Sequence, residues 1–196
     1  MLINVTPSDA TDEVEKYLHG QERSWGYMPN YAAAYVSRPD VAKGWAVLNG
    51  AIRDGMDPRR YEIATLGAAR ALRSTYCTAA HSKFLRDDCG DEGAMVAIAT
   101  GQGDDALDEA DRAILTFAGR VARDAASISE ADVDALRDVG LTDNEIADVV
   151  FAAAARCFFA TVADAFGAEP DHQLADQFAP EVLDGLVVGR PIADAP

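Results

Sequence analysis

Basic residues are scarce in this sequence of 196 residues. It has 17 lysines and arginines against 33 aspartates and glutamates, which gives a formal net charge of −16. A surface of this charge repels the phosphates of nucleic acids and the headgroups of anionic lipids. The composition therefore excludes nucleic acid and a membrane as expected partners, and it favours a small neutral ligand over a polyanion.

The sequence also lacks long apolar runs and targeting signals. We find no apolar stretch that approaches the roughly 20 residues of a membrane-spanning helix. Residues 1–10 lack the basic start and apolar stretch of a secretory signal. We therefore expect a soluble, cytoplasmic protein that folds as a single domain over residues 1–196, with its core at about 20–170 and a C-terminal tail at 171–196.

Cysteine is rare as well. The three cysteines, Cys77, Cys89 and Cys157, are an odd and low number that does not suit a disulfide scaffold. The sequence contains no CxxC pair, no paired-histidine zinc spacing and no glycine-rich phosphate loop, so we expect neither a metal nor a nucleotide cofactor. At least one thiol is therefore expected to be free.

Alanine, by contrast, is abundant. The sequence has 38 alanines, and its valines and isoleucines rarely alternate with polar residues, a pattern that predicts an all-α bundle. Capping residues, prolines and glycines divide the chain into expected helices. These are 11–19 (ending at Gly20), 31–37, 39–54, 57–73, 74–90, 91–100, 107–126, 129–139, 142–166 and 171–178, followed by an end that packs on a neighbour or remains loose.

A thiol, an imidazole and a carboxylate are the candidates for chemistry. Cys77 and His81 are four residues apart, which places them on one face of a helix. With Ser74 as the helix cap, Cys77 takes the third helical position, where free backbone N–H groups and the helix dipole favour a thiolate. Glu62 on the preceding helix could fix the imidazole tautomer or relay a proton. The pattern is typical of acid–base chemistry at a thiol.

Structural roles remain open for the same residues. Cys77 could be a small buried hydrophobe, and His81 could be a buried structural histidine. Glu62 could pair with Arg70 or Arg73 on a solvated face. For Cys89 and Cys157 a structural role is the favoured interpretation. Spacing alone does not decide between these roles and a catalytic one.

The string Ser-Thr-Tyr-Cys-Thr-Ala-Ala-His at 74–81, with Glu62 upstream, resembles the carboxymuconolactone decarboxylase and alkylhydroperoxidase D-like superfamily. The hallmark of that superfamily is a glutamate, then CxxC, then a histidine four residues after the second cysteine. Residues 26–30 resemble the entry motif of its peroxidase-related branch, and 140–142 and 162–166 extend the similarity. The resemblance implies an all-helical fold built around a helical hairpin and assembled into dimers, trimers or hexamers.

The resemblance also implies a thiol peroxidase. In that role Cys77 attacks a hydroperoxide, Glu62 and His81 relay protons, and Ser74 and Tyr76 support the site. The family's first cysteine is Ser74 here, so the usual local disulfide cannot form and an external thiol is the expected reductant. Cys89 would lie roughly 18 Å away on a continuous helix, beyond disulfide range. Cys157 could approach only through tertiary packing.

Two alternatives stay open beside this antioxidant peroxidase. A decarboxylase-like lyase would use His81 and Glu62 for acid–base catalysis, with Arg70 and Arg73 as the nearest cationic clamp for an acidic substrate. A non-catalytic scaffold would instead hold subunits together through alanine-rich helix faces.

Overall fold

The computed structural model describes residues 1–102 and 104–195, with Asp104 described by its backbone alone. In these residues the chain is helical and contains no strand, so the predicted all-α class is confirmed. The α-helices are α1 (Thr11–Trp25), α2 (Pro39–Asp54), α3 (Pro58–Ala71), α4 (Thr75–Asp87), α5 (Glu92–Thr100), α6 (Glu109–Asp124), α7 (Glu130–Asp138), α8 (Asp143–Phe166), α9 (His172–Ala175) and α10 (Pro180–Leu186). Short 3-10 turns cover Asn30–Tyr35, Asp104–Ala106 and Ala125–Ser127.

The core forms around α3, whose residues 61–69 are all buried. This helix packs against α4, α6 and α8. At Gly67 the neighbouring α6 comes so close that a Cβ would lie 2.3 Å from the carbonyl oxygen of Leu115, an approach that only glycine allows. Because α3 is enclosed on all sides, a charged residue on it needs a partner inside the protein. Glu62 is such a residue.

α3 and α4 form the helical hairpin that positions this partner. Asp57 caps α3 by accepting a hydrogen bond from the backbone N–H of Arg60 at 2.9 Å. At the other end, Arg73 adopts a left-handed conformation with φ 58°, and the chain reverses into α4 at Thr75. The first half of α3 therefore lies beside the middle of α4, where His81 is located.

α8 crosses the core with 24 residues. By length and composition it could cross a membrane, so the expectation that no apolar stretch approaches this length needs correction. In the fold this helix packs against α2, α3 and α6, and it buries Arg156 in its middle. A helix that packs in a folded bundle can have the same length and apolar composition, and 44% of the apolar stretch of α8 is buried inside the protein.

Two expected boundaries in the first quarter of the chain are wrong. α1 continues through Gly20 to Trp25, and Gly26, with φ 77°, provides the left-handed C-cap instead. A glycine inside a helix costs only about 1 kcal/mol, so Gly20 alone does not end it. Residues 31–37, expected as a regular helix, form instead the 3-10 turn Asn30–Tyr35, which carries two buried tyrosines.

The C-terminal segment also differs from the expectation. The helix expected over 171–178 spans only His172–Ala175, and a further helix, α10, follows it. Pro180 sits in the first turn of α10, and the fully buried Leu186 packs it against α5. At Gly185 a Cβ would lie 2.0 Å from the carbonyl oxygen of Ala99. The tail is thus joined to the same core by close helix packing.

Candidate functional site

A cavity of about 520 Å³ lies among α1, the 3-10 turn Asn30–Tyr35, α2, α4 and α8. Cys77, His81 and Arg156 all line it, so the structure brings the predicted thiol and imidazole into one cavity. Eight aromatic residues also line it. They are Tyr17, Trp25, Tyr31, Tyr35, Trp45, Tyr76, Phe84 and Phe159.

Glu62 stands behind His81 and binds it directly. The His81 Nδ1 atom is 2.6 Å from the Glu62 Oε2 atom, and each residue is only 6% exposed. Burial, aided by the nearby charge of Arg156, lowers the pKa of His81, although Glu62 opposes this shift. A neutral imidazole therefore donates its Nδ1–H to the carboxylate and keeps the Nε2 lone pair for a proton from the cavity. Neither Arg70 nor Arg73 is the partner of Glu62.

Cys77 has a different polar neighbour. Its Sγ atom accepts a hydrogen bond from Arg156 Nη1 at 3.7 Å, whereas no hydrogen bond links Cys77 to His81 in the part of the chain that the structure describes. Burial disfavours the charge of Arg156, but the thiol of Cys77 and the nearby Tyr61 and Glu62 outweigh it and raise the pKa of the guanidinium. A permanent buried cation next to the sulfur favours the thiolate.

Arg156 is held between aromatic rings. Its guanidinium carbon lies 5.6 Å from the ring centroid of Trp45 and 5.5 Å from that of Phe159, distances typical of cation–π contacts. Arg156 is itself only 4% exposed. Ring faces on the guanidinium offset part of the cost of burying its charge, which explains how a cation can remain in this apolar helix.

The sequence analysis missed Arg156 as a site residue. The available signal was its isolation, because it is the only charged residue between 149 and 163 of an apolar helix. Arg70 and Arg73, expected as the nearest cationic clamp, do not line the cavity. They donate hydrogen bonds to the carbonyl oxygens of Gly185 at 2.9 Å and Val188 at 3.2 Å, because the hairpin turn faces the C-terminal segment.

The two predicted supporting residues have structural surroundings. Ser74 occupies the cap position of α4, which places Cys77 third in the helix, but its side chain accepts no hydrogen bond from that helix. Ser74 thus takes the expected N-cap position without a side-chain cap hydrogen bond, and the polar contact of the thiol is to Arg156. Tyr76 donates a hydrogen bond to Asp171, whose other oxygen accepts one from the backbone N–H of Asn30 at 2.8 Å. This link fixes α4 to the 3-10 turn that supplies part of the cavity wall.

The other cysteines lie outside the cavity. Cys89 borders a second cleft of about 390 Å³, which Glu62 also lines. Burial, together with the charges of Glu62 and Asp88, raises the pKa of Cys89 to about 11. Cys157 is half-buried on α8, and within the described residues all three thiols are free. The cavity therefore contains one thiol of this chain.

Comparison with known proteins places the chain in a family. The profile of the carboxymuconolactone decarboxylase family matches residues 39–102 and 92–168. Two structurally similar proteins are peroxidase-related proteins from Silicibacter sp. TM1040 (TM-score 0.75, 23% identity, covering 88% of this chain and 93% of that one) and Ralstonia eutropha JMP134 (TM-score 0.71, 20% identity, 89% and 95%). A third is a debrominase in complex with 2,3,4-tribromopyrrole (TM-score 0.74, 19% identity, covering 95% of this chain and 98% of that one).

A search of curated proteins gives no match. The similarity to the solved structures establishes the alkylhydroperoxidase D-like fold. The family profile spans well over half of the chain and establishes the family. The resemblance inferred from Glu62 and the string at 74–81 is thereby confirmed. This chain belongs to the carboxymuconolactone decarboxylase family.

Proposed function

We propose that this protein is a one-cysteine reductase of organic hydroperoxides, in which Cys77 is the nucleophile. The observation that supports this most directly is the Cys77 Sγ atom, 3.7 Å from the Arg156 guanidinium in the cavity that His81 also lines. A cation favours the reactive thiolate, and a neutral imidazole backed by a carboxylate is suited to moving a proton. Both requirements of thiol peroxidase chemistry therefore meet in one cavity.

The reaction would proceed by attack of the Cys77 thiolate on the terminal peroxide oxygen. The O–O bond breaks as the S–O bond forms, giving a sulfenic acid on Cys77 and an alkoxide. The proton that left the thiol is held by His81, with Glu62 stabilising the imidazolium, and then passes to the alkoxide. The products of this half-reaction are an alcohol and oxidised Cys77.

An external thiol would close the cycle. It attacks the sulfenic acid to form a mixed disulfide with release of water, and a second thiol then regenerates Cys77. Ser74 cannot supply the resolving sulfur, and the raised pKa of Cys89 makes that residue a poor nucleophile. We propose the cytoplasm as the compartment, because small thiols are maintained in reduced form there.

The rate of Cys77 alkylation tests the activation of this thiol. In a Cys89→Ser, Cys157→Ser background, Arg156→Gln is expected to lower the rate of reaction with iodoacetamide at pH 7 about tenfold, because the nearby cation that favours the thiolate is lost. Arg60→Gln, which removes an arginine from a different cleft, serves as the matched control. An alkylation rate that Arg156→Gln leaves unchanged would contradict the proposal.

The aromatic lining favours a second candidate, reductive dehalogenation of an aromatic compound, the class of activity named for one structurally similar protein. Here the Cys77 thiolate would attack a bromine atom and take it as a sulfenyl bromide, and the ring carbon would receive a proton from His81. An external thiol would then convert the sulfenyl bromide to a mixed disulfide and release bromide. Bromide release from a bromoaromatic compound distinguishes this reaction from hydroperoxide reduction.

We also propose that the protein functions as a homo-oligomer. α2 and α8 pack side by side and expose large apolar side chains, namely Val47 (67%), Leu48 (53%), Phe151 (56%) and Phe158 (42%). Exposed apolar side chains on two neighbouring helices are typical of a subunit contact. This face supports the assembly that the family resemblance implies.

Light scattering at micromolar concentration is expected to give a molar mass that is a multiple of 20.8 kDa. Phe151→Glu is expected to reduce that mass to one chain, because it buries a charge in an apolar contact. Val187→Glu, at another exposed apolar residue after α10, is the control and should leave the mass unchanged. A parent protein that is monomeric in this experiment would contradict the proposal.

A further inference from the structure

The cavity has a charge opposite to that of the whole chain. Its lining contains Arg53, Lys83 and Arg156, whereas no aspartate or glutamate of the described residues lines it. This contrast is informative because acidic residues outnumber basic ones by 33 to 17 in the sequence. Arg53 and Lys83 pair with Asp54 and Asp87. Arg156 has no carboxylate partner in the described part of the chain, and it is deeply buried, where water screens its field least. The local field therefore favours an anion.

Three hydrogen-bond donors of the lining residues have no partner in the described part of the chain. They are the Nε–H of Arg156 and the hydroxyl groups of Tyr17 and Tyr35, and all three atoms are buried. Burial raises the pKa of both tyrosines, so the hydroxyls keep their protons and remain donors. Buried donors without acceptors are costly, and a ligand that brings oxygen atoms would satisfy them.

The wall of the cavity contains a cluster of aromatic rings. Ring centroids of Tyr31 and Phe159 lie 5.0 Å apart, and those of Trp45 and Phe159 lie 5.5 Å apart. Trp45 and Phe159 also contact the Arg156 guanidinium, so aromatic surface and a positive charge lie next to each other in the cavity. Aromatic walls with a few convergent polar groups are typical of small-molecule sites.

We infer that this cavity binds a small aromatic monoanion of the aryl carboxylate class, with its carboxylate on Arg156 and its ring among the aromatic side chains. This inference extends the proposed function to a class of substrate. Only the statement that this ligand is part of the substrate of Cys77 rests on the proposed function. A hydroperoxide of an aromatic acid would combine both features. Binding itself requires no reaction at the thiol.

Tryptophan fluorescence provides a direct assay, because both tryptophans of the chain, Trp25 and Trp45, line the cavity. Benzoate is expected to change the fluorescence saturably and to bind at least about tenfold more tightly than benzamide, which has the same shape without the charge. It is also expected to bind more tightly than cyclohexanecarboxylate, which keeps the charge without the ring. Equal affinity for benzoate and either analogue, or no saturable change, would overturn the inference.

Two variants test the assigned contacts. Arg156→Gln is expected to weaken benzoate binding at least about tenfold, whereas Arg60→Gln should not change it. Tyr35→Phe removes only an unpaired hydroxyl and is expected to weaken binding about threefold or more without loss of thermal stability. Tyr27→Phe is the matched control, because its hydroxyl is also buried and unpaired but Tyr27 does not line the cavity.

If circular dichroism shows that Arg156→Gln is unfolded, the Tyr35→Phe and Tyr27→Phe pair decides. Equal affinity in those two variants would then overturn the assignment of the ligand to this cavity. The same titration in Cys77→Ser separates the inference from the proposed reaction. If the parent protein binds benzoate but does not reduce hydroperoxides, the proposed reaction is refuted and the inferred binding site is retained.

Discussion

Cys77→Ser is expected to lower the rate of hydroperoxide reduction by at least about 1000-fold, because serine at this position cannot replace a thiolate as nucleophile. Cys89→Ser and Cys157→Ser should retain most of the activity, since neither side chain lines the cavity. The measurement is consumption of cumene hydroperoxide with dithiothreitol as the reductant. Binding of benzoate to Cys77→Ser serves as the control that the cavity is still formed.

Other outcomes of this experiment identify the alternatives. A lyase that uses His81 and Glu62 as acid and base would keep its activity on a lactone acid in Cys77→Ser and lose it in His81→Ala. Bromide release that depends on Cys77, without hydroperoxide consumption, would establish the dehalogenase reaction instead. A scaffold would show none of these activities in the parent protein, and both substitutions would change only the stability of the oligomer.

Local sequence signals predicted the hairpin and the approach of Glu62 to His81. Asp57 with Pro58 marks the start of α3, and a short turn before Thr75 reverses the chain. In such a hairpin, residues in the first half of one helix lie beside the middle of the next, and helical periodicity sets which faces meet. The family string carried the same information independently. These features could be predicted because each depends on contacts between neighbouring elements.

The remainder of the site depends on packing between distant parts of the chain. Arg156 meets Cys77 across 79 residues, and Tyr17 and Trp45 enter the cavity from α1 and α2. The hydrophobic periodicity of each helix does not show which faces of three separate helices meet. The net charge of the sequence does not predict the charge of the cavity lining either, because a chain of net charge −16 has a cavity lined by three basic side chains. The preference for a neutral ligand inferred from the total charge does not hold for the cavity lining.

The same distinction explains the errors at the helix ends. Gly20 has the residue type of a helix C-cap, but Gly26 adopts the left-handed conformation that ends the helix. α10 was missed because its helical stability comes from close packing of Gly185 and Leu186 against α5, which the local sequence does not report. At α10, tertiary contacts therefore outweighed the local propensity.

Glu62→Gln is the second substitution for which we expect a large effect. Burial and Arg156 lower the pKa of His81, and Glu62 opposes them, so activity that needs the neutral imidazole falls as the pH drops through this lowered pKa. Removing the carboxylate charge should lower the pKa of His81 further and move the acidic limb of the kcat/KM profile to lower pH. The maximal rate should fall about 10- to 100-fold, because glutamine cannot stabilise the imidazolium.

The pH profile of hydroperoxide reduction measures both effects of Glu62→Gln, and iodoacetamide titration of the same variant accounts separately for the ionisation of Cys77. Glu145→Gln is the matched control, since Glu145 pairs with Arg60 at a different cleft. An acidic limb that moves to higher pH would contradict the assigned electrostatics, because only loss of an opposing positive charge would raise the pKa of His81. An unchanged rate would remove Glu62 from the proton relay, and the 2.6 Å contact with His81 would then serve only to satisfy two buried polar groups.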